Sequence, residues 1–169
     1  MKSIFLVLLT IILSCGGSRS PVNNEQQPDK TKNERPMSIS QEKKYEVLVQ
    51  DASGGPVEPQ ILVIKEPKAL QDFYIKINMT RRPGYPLPNI DFDKEMVVIL
   101  CMGQKNTGGY SIDIDSVEEL EGTRRIWVRE NGPGPNDMAT MALTEPFCIV
   151  KMTATDKKIV FEKVQVSKK

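Results

Sequence analysis

One stretch limits the choice of fold more than any other: Lys94 to Met102, Lys-Glu-Met-Val-Val-Ile-Leu-Cys-Met. Met96 to Met102 carries no charge and no polar break. An apolar run of this length, too short for a free-standing helix and rich in β-branched residues, predicts a strand buried on both faces. Such a strand needs a packed layer on each side. The flanking patterns supply the layers. Lys44–Gln50, Gln60–Lys65, Gly109–Val117, Arg124–Arg129, Phe147–Thr153 and Lys158–Val166 all read as strands. Between the second strand and the central one, Glu66-Pro67 opens a helix that runs to about Met79. Pro67 stands near its first position, where a missing amide is tolerated. Leu70, Phe73, Tyr74 and Ile77 fall on one helical face. The expected fold class is mainly β (α+β): an antiparallel sandwich or small barrel of about seven strands with one packed helix at 67–79. No βαβ alternation is present.

Histidine is absent from all 169 residues. Ser-His-Asp triads, Cys-His pairs and His-based zinc sites are therefore excluded. No local motif for a Ser-Lys or carboxylate-pair enzyme is found, and Thr107-Gly-Gly lacks the ending of a phosphate-binding loop. The reading is non-enzymatic, with no catalytic residue, cofactor or metal expected. Charge is nearly balanced, 23 basic against 22 acidic residues. Nucleic acid, which selects a basic stripe, is not an expected partner. Asp113 and Asp115 alternate outward on one strand and are expected to face Arg125 and Arg129 across the hairpin. Cys101 and Cys148 are expected as two separate buried thiols.

The first residues look like an address. Met1-Lys2 is positive, Ile4–Leu13 is apolar apart from Thr10, and Ser14-Cys15-Gly16 follows. The run is shorter than the roughly 18 residues of a membrane span and matches a secretory signal. Cys15 after Ser14 resembles the bacterial lipobox, which implies a signal at 1–14 and lipidation (palmitate among the acyl groups) at Cys15. More than one acyl chain holds a protein firmly at a membrane. Residues 15–42 are nearly free of apolar side chains and read as a disordered tether. The roughly 26 flexible residues from Gly16 to about Gln41 would reach about 30 Å. A β-rich domain is then expected at 43–169, in a bacterial cell envelope, on the periplasmic or surface side of what is expected to be the outer membrane.

Two Gly-rich loops bracket the Gly109–Arg129 hairpin. The first holds Asn106, Thr107, Gly108, Gly109 and Tyr110. The second holds Pro133, Gly134, Asp137 and Met138, and leads to Thr144-Glu145-Pro146. Glycine and proline make loops shaped and stiff without long side chains. Because a hairpin returns the chain, both loops are expected at one end of the sheet, as one surface for a protein partner. Trp127, outward on the hairpin, is a candidate aromatic anchor, and Thr144 is included among the candidate contacts.

The motifs Asn-Thr-Gly-Gly-Tyr-Ser-Ile (106–112), Gly-Pro-Gly-Pro-Asn-Asp-Met (132–138), Ala-Leu-Thr (142–144) and Pro-Phe (146–147), in that order, resemble the C-terminal domain of PrcB-type protease-complex subunits of bacterial lipoproteins. The resemblance covers about Lys94 to Met152. Asn136 stands where that family usually has glycine, and Phe147 where tyrosine is common. The resemblance implies an accessory lipoprotein that supports an envelope or secreted protease, and it assigns no catalytic residue. A looser similarity, in loop order alone, is to chagasin-like protease inhibitors, which present Gly-rich loops from a β-sandwich. That similarity implies an inhibitor instead.

Overall fold

The computed structural model describes residues 44–164. The expected signal, Cys15 and the tether lie outside the described residues, as does Val166 at the expected end of the last strand. In chain order the elements are β1 (Tyr45–Asp51), β2 (Gln60–Ile64), α1 (Pro67–Ile77), β3 (Glu95–Cys101), β4 (Ser111–Leu120), β5 (Thr123–Asn131), β6 (Phe147–Thr153) and β7 (Lys158–Lys163). The seven strands form two sheets, ordered β1-β6-β3-β2 and β4-β5-β7. Among the described residues the sheets do not close into a barrel.

The central strand is buried on both sides, as its sequence requires. Met96, Val98 and Leu100 of β3, with Cys148, Val150 and Met152 of β6, face Ile112, Ile114, Ile126 and Val128 of the second sheet. The alternate residues Val97, Ile99, Cys101, Phe147 and Ile149 face Leu70, Phe73, Tyr74 and Ile77 of α1. The result is three layers: helix, four-stranded sheet, three-stranded sheet. Each fully buried aliphatic or aromatic side chain contributes roughly 1.5–3 kcal/mol relative to exposure. Cys101 and Cys148 are free and lie in opposite cores, and burial pushes both thiols up to about 12.

The helix starts at Pro67 as read, but it stops at Ile77 rather than Met79. Asn78 ends it. The Asn78 amide bonds to Tyr74 O at 3.1 Å. Its side chain turns away to take the Tyr85 amide at 2.7 Å and to donate to Tyr85 O at 2.9 Å. That competition between side chain and backbone favours a helix end.

A second difference lies within the expected antiparallel-dominated arrangement. The first sheet and the β4–β5 pair are antiparallel, but β5 and β7 are parallel. Parallel neighbours need a long crossover, and here β6, in the other sheet, is that crossover. The third concerns charge, and only in part. Arg129 stands opposite Asp113 in register and forms its ion pair with Asp115, as expected of that carboxylate pair. A bulge lies between Ile114 and Ser116, and Arg125 takes Glu118 at 3.0 Å and Glu162 at 2.8 Å instead. On one flank the sheets are joined by side chains: Tyr45 Oη donates to Ile114 O at 2.5 Å and Gln50 Nε2 to Ile112 O at 3.1 Å.

Candidate functional site

The β3 ladder does not stop at Cys101. Met102 N donates to Pro146 O at 2.9 Å, Lys105 N to Thr144 O at 2.8 Å, and Thr144 N to Lys105 O at 3.0 Å. On its other side Gln104 N donates to Val57 O at 2.9 Å. The chain segment 102–105 thus runs on between the approaches to β2 and β6, bonded to both. Gly103 lets it do so. Its φ is +73°, and a Cβ there would lie 2.9 Å from Pro59 Cδ. Only glycine takes that angle without strain and leaves that space.

The two Gly-rich loops are sewn together at the end of this extension. Gly108 N donates to Thr140 O at 2.9 Å, and Gly108 is buried. Thr144 is buried too, and its Oγ1 donates to Thr107 O at 2.9 Å. Gly109 (φ +85°) lies beside Pro133, and Tyr110 lies so close to Gly132 that a Cβ on Gly132 would come within 2.7 Å of its ring. Within the second loop, Asp137 Oδ2 accepts from Gly134 N at 2.6 Å while Asp137 N donates to Gly134 O at 3.1 Å, a self-capped turn. The loops before β4 and after β5 therefore form one surface at one end of the sandwich.

That surface has a braced foundation. The Glu145 side chain accepts from Gln104 Nε2 at 3.2 Å and Gly54 N at 3.4 Å, and its carbonyl accepts from Gly55 N at 3.0 Å. The 51–55 turn is held in place by Asp51, which binds Arg81 at 2.8 Å and receives the Tyr85 hydroxyl. Arg81 also lies 4.5 Å over the Tyr85 ring, and Tyr85 packs edge-on against Phe147 at 6.2 Å. Burial works against the charge on Asp51, but the Tyr85 hydroxyl, the backbone amides of Ser53 and Ala52, and Arg81 outweigh it. The carboxyl is held below its ordinary value. Burial and the same carboxylate push Tyr85 up to about 12.

The residues singled out from sequence divide into three groups. Asn106, Gly109, Gly134, Asp137 and Met138 are exposed on the joint surface, with Thr107, Tyr110 and Pro133 half-buried beside them. Gly108 and Thr144 are inside it and act on the loops rather than on a partner. Trp127 is elsewhere: half-buried on the outer face of the three-stranded sheet, opposite Ser116 and Glu162, with Arg125 5.9 Å over its ring. Sequence reasoning overlooked Val57, Met141 and Leu143, all exposed at this end. Their signal was present: large apolar residues in loops that no strand or helix pattern claims. Among the described residues no cluster of three or more His, Cys, Asp or Glu is placed to hold a metal, and no helix is long and apolar enough to cross a membrane.

Fold and site together define a two-sheet β domain that presents a backbone-built loop surface. Residues 96–153, from β3 through both loops to the end of β6, match the family model described as PrcB C-terminal, the family that the motifs resemble. The match covers about a third of the chain, and it includes the whole loop surface except Val57. It associates this stretch with protease-complex subunits. No curated protein and no solved structure matches the chain.

Proposed function

We propose that this chain is a lipid-anchored, non-catalytic lipoprotein that serves as an accessory subunit, holding an envelope or secreted protease of a bacterium through the surface formed by Gln104–Tyr110 and Asn131–Met138. The observation that carries the proposal is that main-chain bonds tie the first loop to residues 140–144, just beyond the second loop, Gly108 N to Thr140 O and the Lys105–Thr144 pair, while Gly109 lies beside Pro133 and Tyr110 beside Gly132. A surface fixed by its own backbone meets a partner with little ordering entropy left to lose. The PrcB C-terminal match supports the class of partner. The anchoring rests on the lipobox-like Ser14-Cys15-Gly16 and the apolar run before it.

The test is capture of the full-length chain from detergent-solubilised envelope. A stoichiometric protease in the captured fraction is expected, reduced by Gly134→Val and Asp137→Ala, with thermal stability unchanged. Trp127→Ala asks whether the outer sheet face shares in binding. If all three folded variants hold the full amount of partner, the loop surface is not the interface. Mass spectrometry of the N-terminal peptide tests the anchor, and an unmodified mature chain beginning elsewhere rules it out. Protease activity measured with added protein separates support from inhibition.

A further inference from the structure

The second loop ends in an apolar apex. Met138 stands at 103 % of its reference exposure, Met141 at 90 % and Leu143 at 60 %, and Val57 at 57 % lies across the 102–105 extension on the same end. Single exposed apolar side chains are common on any surface. Three within six residues, at the tip of a segment whose backbone is tied down at Thr140 and Thr144, make a projecting apolar feature. Exposure this complete means that the methionines stand clear of the surface, so they fit into a hollow rather than receive a protrusion. Methionine is also the apolar side chain that best adapts to an irregular cavity.

Charge narrows the choice of partner. The segment 131–146 carries two carboxylates, Asp137 and Glu145, and no basic side chain. Loops that enter lipid surfaces are flanked by lysine or arginine, which pair with anionic headgroups. In sequence the charge next to the apex is Asp137, directly before Met138, and an anionic membrane would repel it. Lys105, bridged to Thr144 in the first loop, is half-buried with its ammonium 5.8 Å from the Tyr110 ring centroid, and the Glu145 carboxylate is taken up by Gln104 and Gly54. The exposed Asp137 complements a basic protein rim.

We infer that Met138, Met141 and Leu143 insert into a recess on the partner protein that is apolar inside and basic at its rim. The inference rests on the accessory-subunit reading above and names the chemistry of that contact. The loop backbone shapes the feature, and the methionines supply the contact.

The experiment captures the full-length chain from detergent-solubilised envelope and quantifies the co-captured protein by mass spectrometry. Three forms are compared: wild type, Met138→Ser/Met141→Ser and Met138→Leu/Met141→Leu. All three are expected to melt alike, because the substituted side chains touch no core. The serine pair is expected to recover at least about tenfold less partner, and the leucine pair to stay within about twofold of wild type. If wild type holds a partner and the serine pair holds it equally, this inference fails while the loop-surface reading stands. If wild type recovers no stoichiometric protein, both fail. Unlipidated Cys15→Ala chain is also floated with phosphatidylethanolamine/phosphatidylglycerol vesicles. Flotation that depends on Met138 and Met141 would make the apex a lipid-insertion element and overturn the inference.

Discussion

Gly103 and Gly122 have nearly the same backbone angle, φ +73° and +71°, at opposite ends of the sandwich, and their surroundings have nothing in common. A Cβ on Gly103 would meet Pro59 and the Val57 carbonyl at 2.9–3.0 Å, whereas one on Gly122 would meet nothing within 4 Å. The two ends are built differently around them. The loop end is held by main-chain bonds, with the side chains of Asp137, Thr144 and Glu145 bonded to backbone there. The hairpin end, beyond Leu120 and Thr123, is held by charged side chains. There Arg124, buried, binds Glu119 and reaches Thr153 O of the other sheet, and Lys157 donates to Glu119 at 3.1 Å and Leu120 O at 3.0 Å. A charge-built end consumes its side chains in holding itself together. A backbone-built end leaves its larger side chains with no internal partner, so Met138, Met141 and Leu143 project. The difference supports the proposal that the loop end is the recognition surface.

The largest effect is expected from Gly103→Ala. Left-handed geometry costs an ordinary residue about 1–2 kcal/mol, and forcing a methyl into a filled site costs about 1–3 kcal/mol more. Urea unfolding should show a loss of about 3 kcal/mol. The same variant should lose protection of the Gln104 and Lys105 amides in hydrogen exchange.

Arg124→Leu, at the other end, should come next, at about 2 kcal/mol. It removes a buried donor from Thr153 O and leaves Glu119 with Lys157 alone. This loss depends on pH. Burial opposes the charge on Glu119, but hydrogen bonds from Lys157 and Arg124 outweigh it and hold its carboxyl below the ordinary value. A depressed carboxyl stabilises the fold above its unfolded-state pKa, about 4.3, and that stability is lost as pH falls through the lower folded value. The gap between wild type and Arg124→Leu should therefore be widest at neutral pH and narrow in acid. A gap that stays constant down to pH 2 would show that the Glu119 contact adds nothing.

What the sequence made legible follows from how each end is built. The Met96–Met102 run announced a doubly covered strand because apolar periodicity reports burial directly. Leu70, Phe73, Tyr74 and Ile77 announced the helix face for the same reason. The two loops were legible as one surface because a hairpin must return its chain. The parallel β5–β7 pair was not legible, since it depends on β6 leaving for the other sheet, and no local pattern records that. Alternation puts Arg124 on the face of Ile126 and Val128, but its role was not legible, because its partners lie 5 and 29 residues away, on β4 and β6. Thr144 read as a candidate contact because it stands in the corner to which the second loop leads. Only the fold shows its hydroxyl turned inward to Thr107 O.

That hydroxyl gives the third prediction. Thr144→Val keeps the shape and removes the donor, leaving the Thr107 carbonyl without this partner inside the joint. About 1–1.5 kcal/mol should be lost, together with faster exchange at Lys105 and Gly108, whose amides bond to the same loop. Loss of stability without faster exchange there would mean that the hydroxyl supports the core and not the loop surface.

The smallest effect should come from Gly122, and it sharpens the comparison most. With open space around it, Gly122→Ala bears only the left-handed penalty, about 1 kcal/mol. Gly122→Asn should lie within a few tenths of wild type, because asparagine tolerates that region. Since the two glycines share an angle, subtracting the Gly122→Ala loss from the Gly103→Ala loss cancels the backbone penalty. What remains is the crowding by Pro59 and the Val57 carbonyl. A remainder of about 2 kcal/mol would mean that the loop end resists displacement, as a preformed binding surface must. A remainder near zero would mean that Pro59 and its neighbours move aside freely. The loop end would then be no stiffer than the hairpin, and the contrast on which the recognition surface rests would fall with it.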